Sequence, residues 1–94
     1  MSDIFDRQIG LLRLHIRAYR KGELSLNSLI QKIEGISSAI NTKTWGDATY
    51  PIVLEMEQVN AGLLSSKRNI SKMDTEVIEN ALIELENLIN SNQA

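Results

Sequence analysis

Apolar residues recur along most of this chain at spacings of three and four, the pattern of helices that bury one face. The first such stretch runs from about Asp3 to Lys21, and Gly22 should end it, because glycine readily adopts the left-handed conformation that closes a helix. Its seam consists of Phe5, Ile9, Leu12, Ile16 and Tyr19. The apolar arc extends beyond that seam to Ile4, Leu11, Leu14 and Ala18. We therefore expect this helix to contact either two neighbouring helices or a partner chain.

Three more helices are predicted downstream. The second begins after Ser25, a favourable N-cap, and continues to Ile40. Residues 41–51, NTKTWGDATYP, are rich in turn formers and are expected to form a loop. The third helix should then run from about Pro51 to Ser65, and the fourth over residues 75–90 with Ser71 or Asp74 as its cap.

These segments give the fold class. No stretch alternates apolar and polar residues between turns, so no β-sheet is predicted. The connection between the first two helices is short, which makes them an antiparallel hairpin. We predict an all-α fold, an up-and-down bundle of four helices, or three long helices and one short helix. Residues 1–94 should form a single helical domain, since no linker or internal repeat divides them.

Composition removes several functional classes. The 94 residues contain no cysteine, so neither a disulfide framework nor a thiolate metal site can form. The amino terminus lacks the basic and apolar segments of a secretory signal, and no stretch has the apolar length needed to span a bilayer. A cytoplasmic protein without membrane contact is the simplest expectation.

Reactive groups that could converge on a substrate are few. His15 is the one histidine, and a boundary residue with its polar tip in water explains it better than a general base does. The carboxylates fall at surface spacings, with no pair marked for acid and base roles. Metal-ligand motifs and phosphate-binding glycine loops are absent from the sequence. We therefore expect no enzymatic activity, no cofactor and no metal.

Charge is divided unevenly along the chain and favours a basic partner. Residues 1–46 carry seven Lys/Arg and four Asp/Glu, a formal charge of +3, whereas residues 47–94 carry three and eight, a formal charge of −5. The acidic half would repel phosphate backbones and attract a cationic protein. Arg13, Arg17 and Arg20 form a row on the first helix that could contact phosphates. However, the pI of about 5.3 and the few aromatic residues argue against nucleic acid as the partner.

One apolar residue of the fourth helix falls on its polar side. With about 100° of rotation per residue, Ile83 lies among Glu76, Glu79 and Glu86. An aliphatic residue in this position reflects chance, a contact with another part of the chain, or the centre of a docking surface. In the docking interpretation, Ile83 is a desolvated anchor with charged residues around it.

Trp45 and Tyr50 bracket the predicted loop, and each has two interpretations. Either could anchor a protein partner or close the end of the core, and the core role is favoured for Trp45. Tyr50, directly before Pro51, could also act as a hydrophobic staple. The partner-binding residues predicted from the helix phase and the loop are Glu76, Glu79, Ile83, Glu86, Glu57, Asp47 and Trp45.

Several segments resemble a known family. They are IRAYRKGELSLNSLIQKIEGI, the loop around Trp45, VLEMEQVNAGLL and MDTEVIENALIELENLI. The first helix ends in Tyr-x-x-Gly (Tyr19 and Gly22), the second starts with a hydrophobic residue and serine (Leu24 and Ser25), and the last helix is acidic. This combination resembles the small α-helical immunity proteins of bacterial toxin systems, particularly the colicin D immunity-like family and the immunity proteins of contact-dependent growth inhibition.

The resemblance implies a function without catalysis. Such proteins bind the carboxy-terminal domain of a cognate toxin, often a nuclease, and cover its active site with an acidic surface. The alternative is a non-catalytic helical module that self-associates as a homodimer through the first helix or acts as a regulatory adaptor.

Overall fold

A computed structural model describes residues 3–91, which contain four α-helices. Helix α1 spans Asp3–Arg20, α2 spans Leu26–Ile40, α3 spans Lys43–Ser66 and α4 spans Lys72–Ser91. No β-strand occurs within the described residues. The predicted all-α fold with four helices is therefore confirmed, and none of these helices is short.

The chain groups into two compact units, Met1–Asp47 and Ala48–Ala94, and the boundary between them falls within α3. In the first unit, α1 packs against α2. Helix α1 buries Ile9, Leu12 and Ile16. The buried positions of α2 are Leu26, Leu29, Ile30, Ile33 and Ile36. Burial of each such side chain contributes about 1.5–3 kcal/mol, so this apolar contact is the main source of stability in the hairpin.

The turn between α1 and α2 follows from two residues that the sequence identifies. Gly22 has a φ of +79°, in the left-handed region. Its N–H donates to the carbonyl of Tyr19 at 3.0 Å, and the N–H of Glu23 donates to that of Ala18 at 2.9 Å, which together form a Schellman motif. Ser25 caps α2, because its hydroxyl accepts a hydrogen bond from the N–H of Ser28 at 3.1 Å. Both predicted helix ends are confirmed.

The predicted loop before the third helix is wrong. Helix α3 begins at Lys43 and includes Pro51. The hydroxyl of Thr42 accepts a hydrogen bond from the N–H of Trp45 at 3.3 Å, which supplies a helix start eight residues before the expected one. The buried positions Trp45, Thr49, Ile52 and Met56 then follow at spacings of four, three and four. Their burial offsets the proline, which costs up to about 3 kcal/mol in a helix interior.

Ser71, rather than Asp74, caps α4. The hydroxyl of Ser71 accepts a hydrogen bond from the N–H of Asp74 at 3.1 Å, and the Asp74 carboxylate accepts one from the N–H of Ser71 at 3.0 Å. These reciprocal bonds form a capping box. Arg68 also donates to the same carboxylate at 2.5 Å and 3.4 Å. The hydrogen bond from Arg68, followed by the one from the Ser71 backbone, holds the pKa of Asp74 well below its usual range.

Candidate protein-docking surface

Ile83 lies outside the core of the second unit. Its side chain is 44% exposed, whereas Leu82 and Leu85, its close neighbours in α4, are fully buried. The core positions of the helix are Ile78, Ala81, Leu82, Leu85 and Ile89. These positions face roughly the opposite direction from Ile83 at about 100° per residue. The helix phase that was predicted from the sequence is therefore correct.

The three predicted glutamates share this side of α4 but differ in their surroundings. Glu76, Glu79 and Glu86 lie within roughly 60° of Ile83 around the helix axis. Glu76 is exposed, and its carboxylate makes no hydrogen bond or ion pair with the rest of the described chain. Glu79 and Glu86 are half-buried, and each interacts with another group of the protein. We call Glu76, Glu79, Ile83 and Glu86 the acidic face of α4. Within it, Glu76 is the carboxylate most accessible to a partner.

Trp45 is not part of any exposed surface. It is 4% exposed and belongs to the core of the first unit. Its indole N–H donates to the hydroxyl of Ser37 at 3.1 Å, and its ring meets that of Phe5 edge to face with centroids 5.7 Å apart. Burial of a large aromatic ring with its polar N–H satisfied is the expected state of a core tryptophan. The core interpretation of Trp45 therefore replaces the interpretation as a partner anchor.

Asp47 and Glu57 lie on α3, away from the sequence segment that forms the acidic face. Asp47 is exposed and accepts a hydrogen bond from the ammonium of Lys43 at 2.7 Å, one turn earlier in the helix. This neighbouring cation offsets the charge that Asp47 would offer to a basic partner. Glu57 is half-buried. Of the seven predicted residues, Glu76, Glu79, Ile83 and Glu86 lie on one face of α4, whereas Asp47, Glu57 and Trp45 lie on α3.

The exposed side of α3 carries an apolar stripe that the sequence interpretation missed. Tyr50, Leu54 and Leu64 are 66%, 37% and 65% exposed. At helical spacing they share a face with Glu57, roughly opposite the buried seam of the same helix. Leu54 and Leu64 already fall within the predicted helix from Pro51 to Ser65, and the continuation of α3 through Pro51 adds Tyr50 to their face. It also excludes Tyr50 as a hydrophobic staple, because a staple precedes its helix and Tyr50 lies inside one.

A shallow groove in the second unit was also missed. The groove has a volume of about 450 Å³. It lies between the part of α3 that begins at Ala48 and the second half of α4. The groove is lined by Ala48, Ile52, Glu84, Asn87, Leu88 and Ser91. In each helix, lining residues recur four positions apart, so the sequence alone indicates that they share a helix face. However, only the pairing of the two helices shows that these residues face a common space.

Helix α1 carries the exposed apolar arc on which the alternative function rests. Ile4, Leu11 and Leu14 are 56%, 41% and 51% exposed. They fall on one side of the helix, roughly opposite the buried seam of Ile9, Leu12 and Ile16. The arc therefore remains open in the single chain, as a surface for self-association requires.

Other kinds of site find little support in residues 3–91. No group of three or more His, Asp or Glu side chains there is placed to hold a metal ion. Helices in that range also lack the combination of length and apolar character needed to cross a membrane. His15, the single histidine, is half-buried on α1. The exposed apolar positions and carboxylates described above are features of protein contacts.

Comparisons with known proteins give no relative. No model of a known protein family matches the chain, and neither a curated protein nor a solved structure matches it.

Proposed function

We propose that this chain is an immunity protein that binds a cognate, basic toxin domain in the cytoplasm and neutralises it through the acidic face of α4. The observation that carries the proposal is the 44% exposure of Ile83 on the side of α4 that also carries Glu76, Glu79 and Glu86. The resemblance of the sequence to small helical immunity proteins indicates that the partner is a toxin domain.

Ile83 and the carboxylates of the acidic face contribute to binding in different ways. An aliphatic side chain contributes affinity when a partner removes it from water, and it has no charge preference of its own. Carboxylates around it steer a cationic partner and reject polyanions, mainly through the rate of association. The formal charge of −5 on residues 47–94 acts over a longer range in the same direction. An acidic face with an apolar centre therefore suits a basic protein better than it suits nucleic acid.

The test uses the cognate toxin domain, which we expect to be encoded by the gene immediately upstream, purified in an inactive form, as the binding partner. Ile83→Asp should weaken binding by about 30-fold or more if Ile83 is an anchor of the contact. Glu76→Lys should weaken it by about fivefold at low salt, chiefly through slower association. Isothermal titration and stopped-flow mixing would measure these changes.

Glu23→Lys is the matched control, because Glu23 is exposed in the turn between α1 and α2, outside the second unit. It makes the same charge change as Glu76→Lys and should leave binding within about twofold of the unaltered protein. Circular dichroism establishes that each variant keeps its helices. If Ile83→Asp and Glu76→Lys both bind as tightly as the control, the acidic face of α4 is not the toxin-binding surface.

Self-association through α1 is a second candidate, favoured by the exposure of Ile4, Leu11 and Leu14. Burying three such side chains in a dimer would contribute several kcal/mol before the cost of association. Sedimentation equilibrium should then detect a dimer that Leu11→Glu dissociates. A monomer at all accessible concentrations would exclude this candidate.

A further inference from the structure

The groove in the second unit has an apolar floor and a polar rim. Ala48, Ile52 and Leu88 supply aliphatic surface, and Glu84, Asn87 and Ser91 supply oxygen atoms. Its volume of about 450 Å³ is in the lower part of the range of ligand pockets in proteins. The groove therefore has room for one long side chain of a partner and is small for a folded element.

Electrostatics at this groove favour a cation. Glu84 is exposed, and no hydrogen bond or ion pair connects its carboxylate to the described part of the chain. The groove also borders the last turn of α4, which contains Ser91 and carries no basic side chain. Because the carboxyl end of a helix has a partial negative charge, a cation is stabilised there. The groove thus combines one full and one partial negative charge, with no basic residue among its lining residues.

The groove is continuous with the acidic face of α4. Asn87 follows Ile83 by one helical turn, and it is one of the residues that line the groove. Glu84, also in the lining, lies about 100° from Ile83 around the helix axis, with Asn87 between them. A protein docked over Ile83 would therefore place the side chains at one edge of its contact beside the groove.

We propose that the groove receives a single lysine or arginine side chain from the protein partner. The methylene groups of that side chain would lie against Ile52 and Leu88, and its charged end would meet Glu84 at the rim, since such residues bury their aliphatic part while the charge stays near water. An apolar occupant would partly desolvate Glu84 without compensation, and an acidic one would be repelled by it. This inference rests on the proposed function for the identity of the partner, and it adds a specificity pocket to the acidic face.

A cationic peptide probes the groove without the toxin. In an NMR titration of the ¹⁵N-labelled protein with an acetylated and amidated octa-arginine peptide, the amide shifts of Ala48, Ile52, Glu84 and Leu88 should change most. Glu84→Gln should weaken the affinity for the peptide by about fivefold, while the matched variant Glu23→Gln should change that affinity by less than twofold. Largest shifts elsewhere in the protein, or equal losses in the two variants, would overturn the inference.

The toxin domain then separates this inference from the proposed function. If Ile83→Asp abolishes toxin binding while Glu84→Gln has no effect on the toxin or the peptide, the groove proposal is wrong and the proposed function stands. If the unaltered chain does not bind the toxin domain at all, the proposed function fails, whatever the peptide does. If Glu84→Gln weakens the binding of both the toxin domain and the peptide more than Glu23→Gln does, the proposal that the groove receives a cationic side chain is supported.

Discussion

Two residues of α4, separated by one position, should respond very differently to truncation. Leu85 is fully buried in the core, whereas Ile83 is 44% exposed. Both positions lie well inside the helix Lys72–Ser91, so the backbone context is nearly the same. Leu85→Ala and Ile83→Ala therefore form a matched pair that separates core packing from surface location.

The structure sets the expected magnitudes. Leu85→Ala removes buried methyl groups and leaves a cavity, which costs about 2–5 kcal/mol of unfolding free energy. Ile83 has a little more than half of its surface removed from water, so its truncation loses roughly half of the 1.5–3 kcal/mol of full burial. Alanine returns a few tenths of a kcal/mol because it is the better helix former. The net cost for Ile83→Ala is thus about 1 kcal/mol or less.

Urea unfolding followed by circular dichroism at 222 nm measures both costs. With a slope of about 1–2 kcal/mol per molar urea, Leu85→Ala should lower the midpoint by at least 1 M and Ile83→Ala by less than 1 M. Comparable losses in the two variants would refute the reasoning, because they would mean that Ile83 packs in an apolar environment. Ile83 would then be unavailable as a surface anchor.

Three further predictions test the helices and their caps. Gly35→Ala in α2 should raise the free energy of unfolding by about 1 kcal/mol in a urea titration, because the position is exposed and an added Cβ meets nothing within 4 Å. Ser37→Ala should cost about 1 kcal/mol in the same assay, because it removes the acceptor of the Trp45 indole N–H. The pKa of Asp74 is lower in the folded protein than in the unfolded chain, where it is about 3.9, so its stabilisation is complete above that value and is lost as the pH falls further. Asp74→Asn should therefore reduce the loss of stability between pH 5 and about pH 2, as measured by urea titrations, and an unchanged pH dependence would contradict the Arg68–Asp74 assignment.

The ends of α1 and α2 could be predicted because local chemistry determines them. Gly22 adopts the left-handed conformation that the turn after α1 requires and that glycine allows without strain. Ser25 accepts a hydrogen bond from a free backbone N–H at the start of α2. The start of α3 could not be predicted from such signals. Threonine, glycine, aspartate and proline in residues 42–51 all favour turns locally, but burial of Trp45 and Thr49 overrides that preference. Tracing the seam of Ile52 and Met56 backward through Pro51 would have revealed the longer helix.

The candidate site divides in the same way. The exposure of Ile83 follows from the phase of one helix, and it was predictable because α4 has no break. The environment of each glutamate was not predictable, because it depends on neighbours that are distant in sequence. The groove likewise requires knowledge that Ala48 and Ile52 face Glu84 and Leu88. Trp45 illustrates a third case, in which the residue type suits both an interface and a core and only the structure distinguishes them.

The affinity of the Ile83→Asp variant for the cognate toxin domain, measured by isothermal titration, tests the central claim most directly. We expect binding to weaken by about 30-fold or more, while circular dichroism shows that the variant keeps its helices and remains folded under the conditions of the titration. Wild-type affinity in a correctly folded Ile83→Asp variant would contradict the claim that the acidic face of α4 binds a basic partner with Ile83 at the centre of the contact.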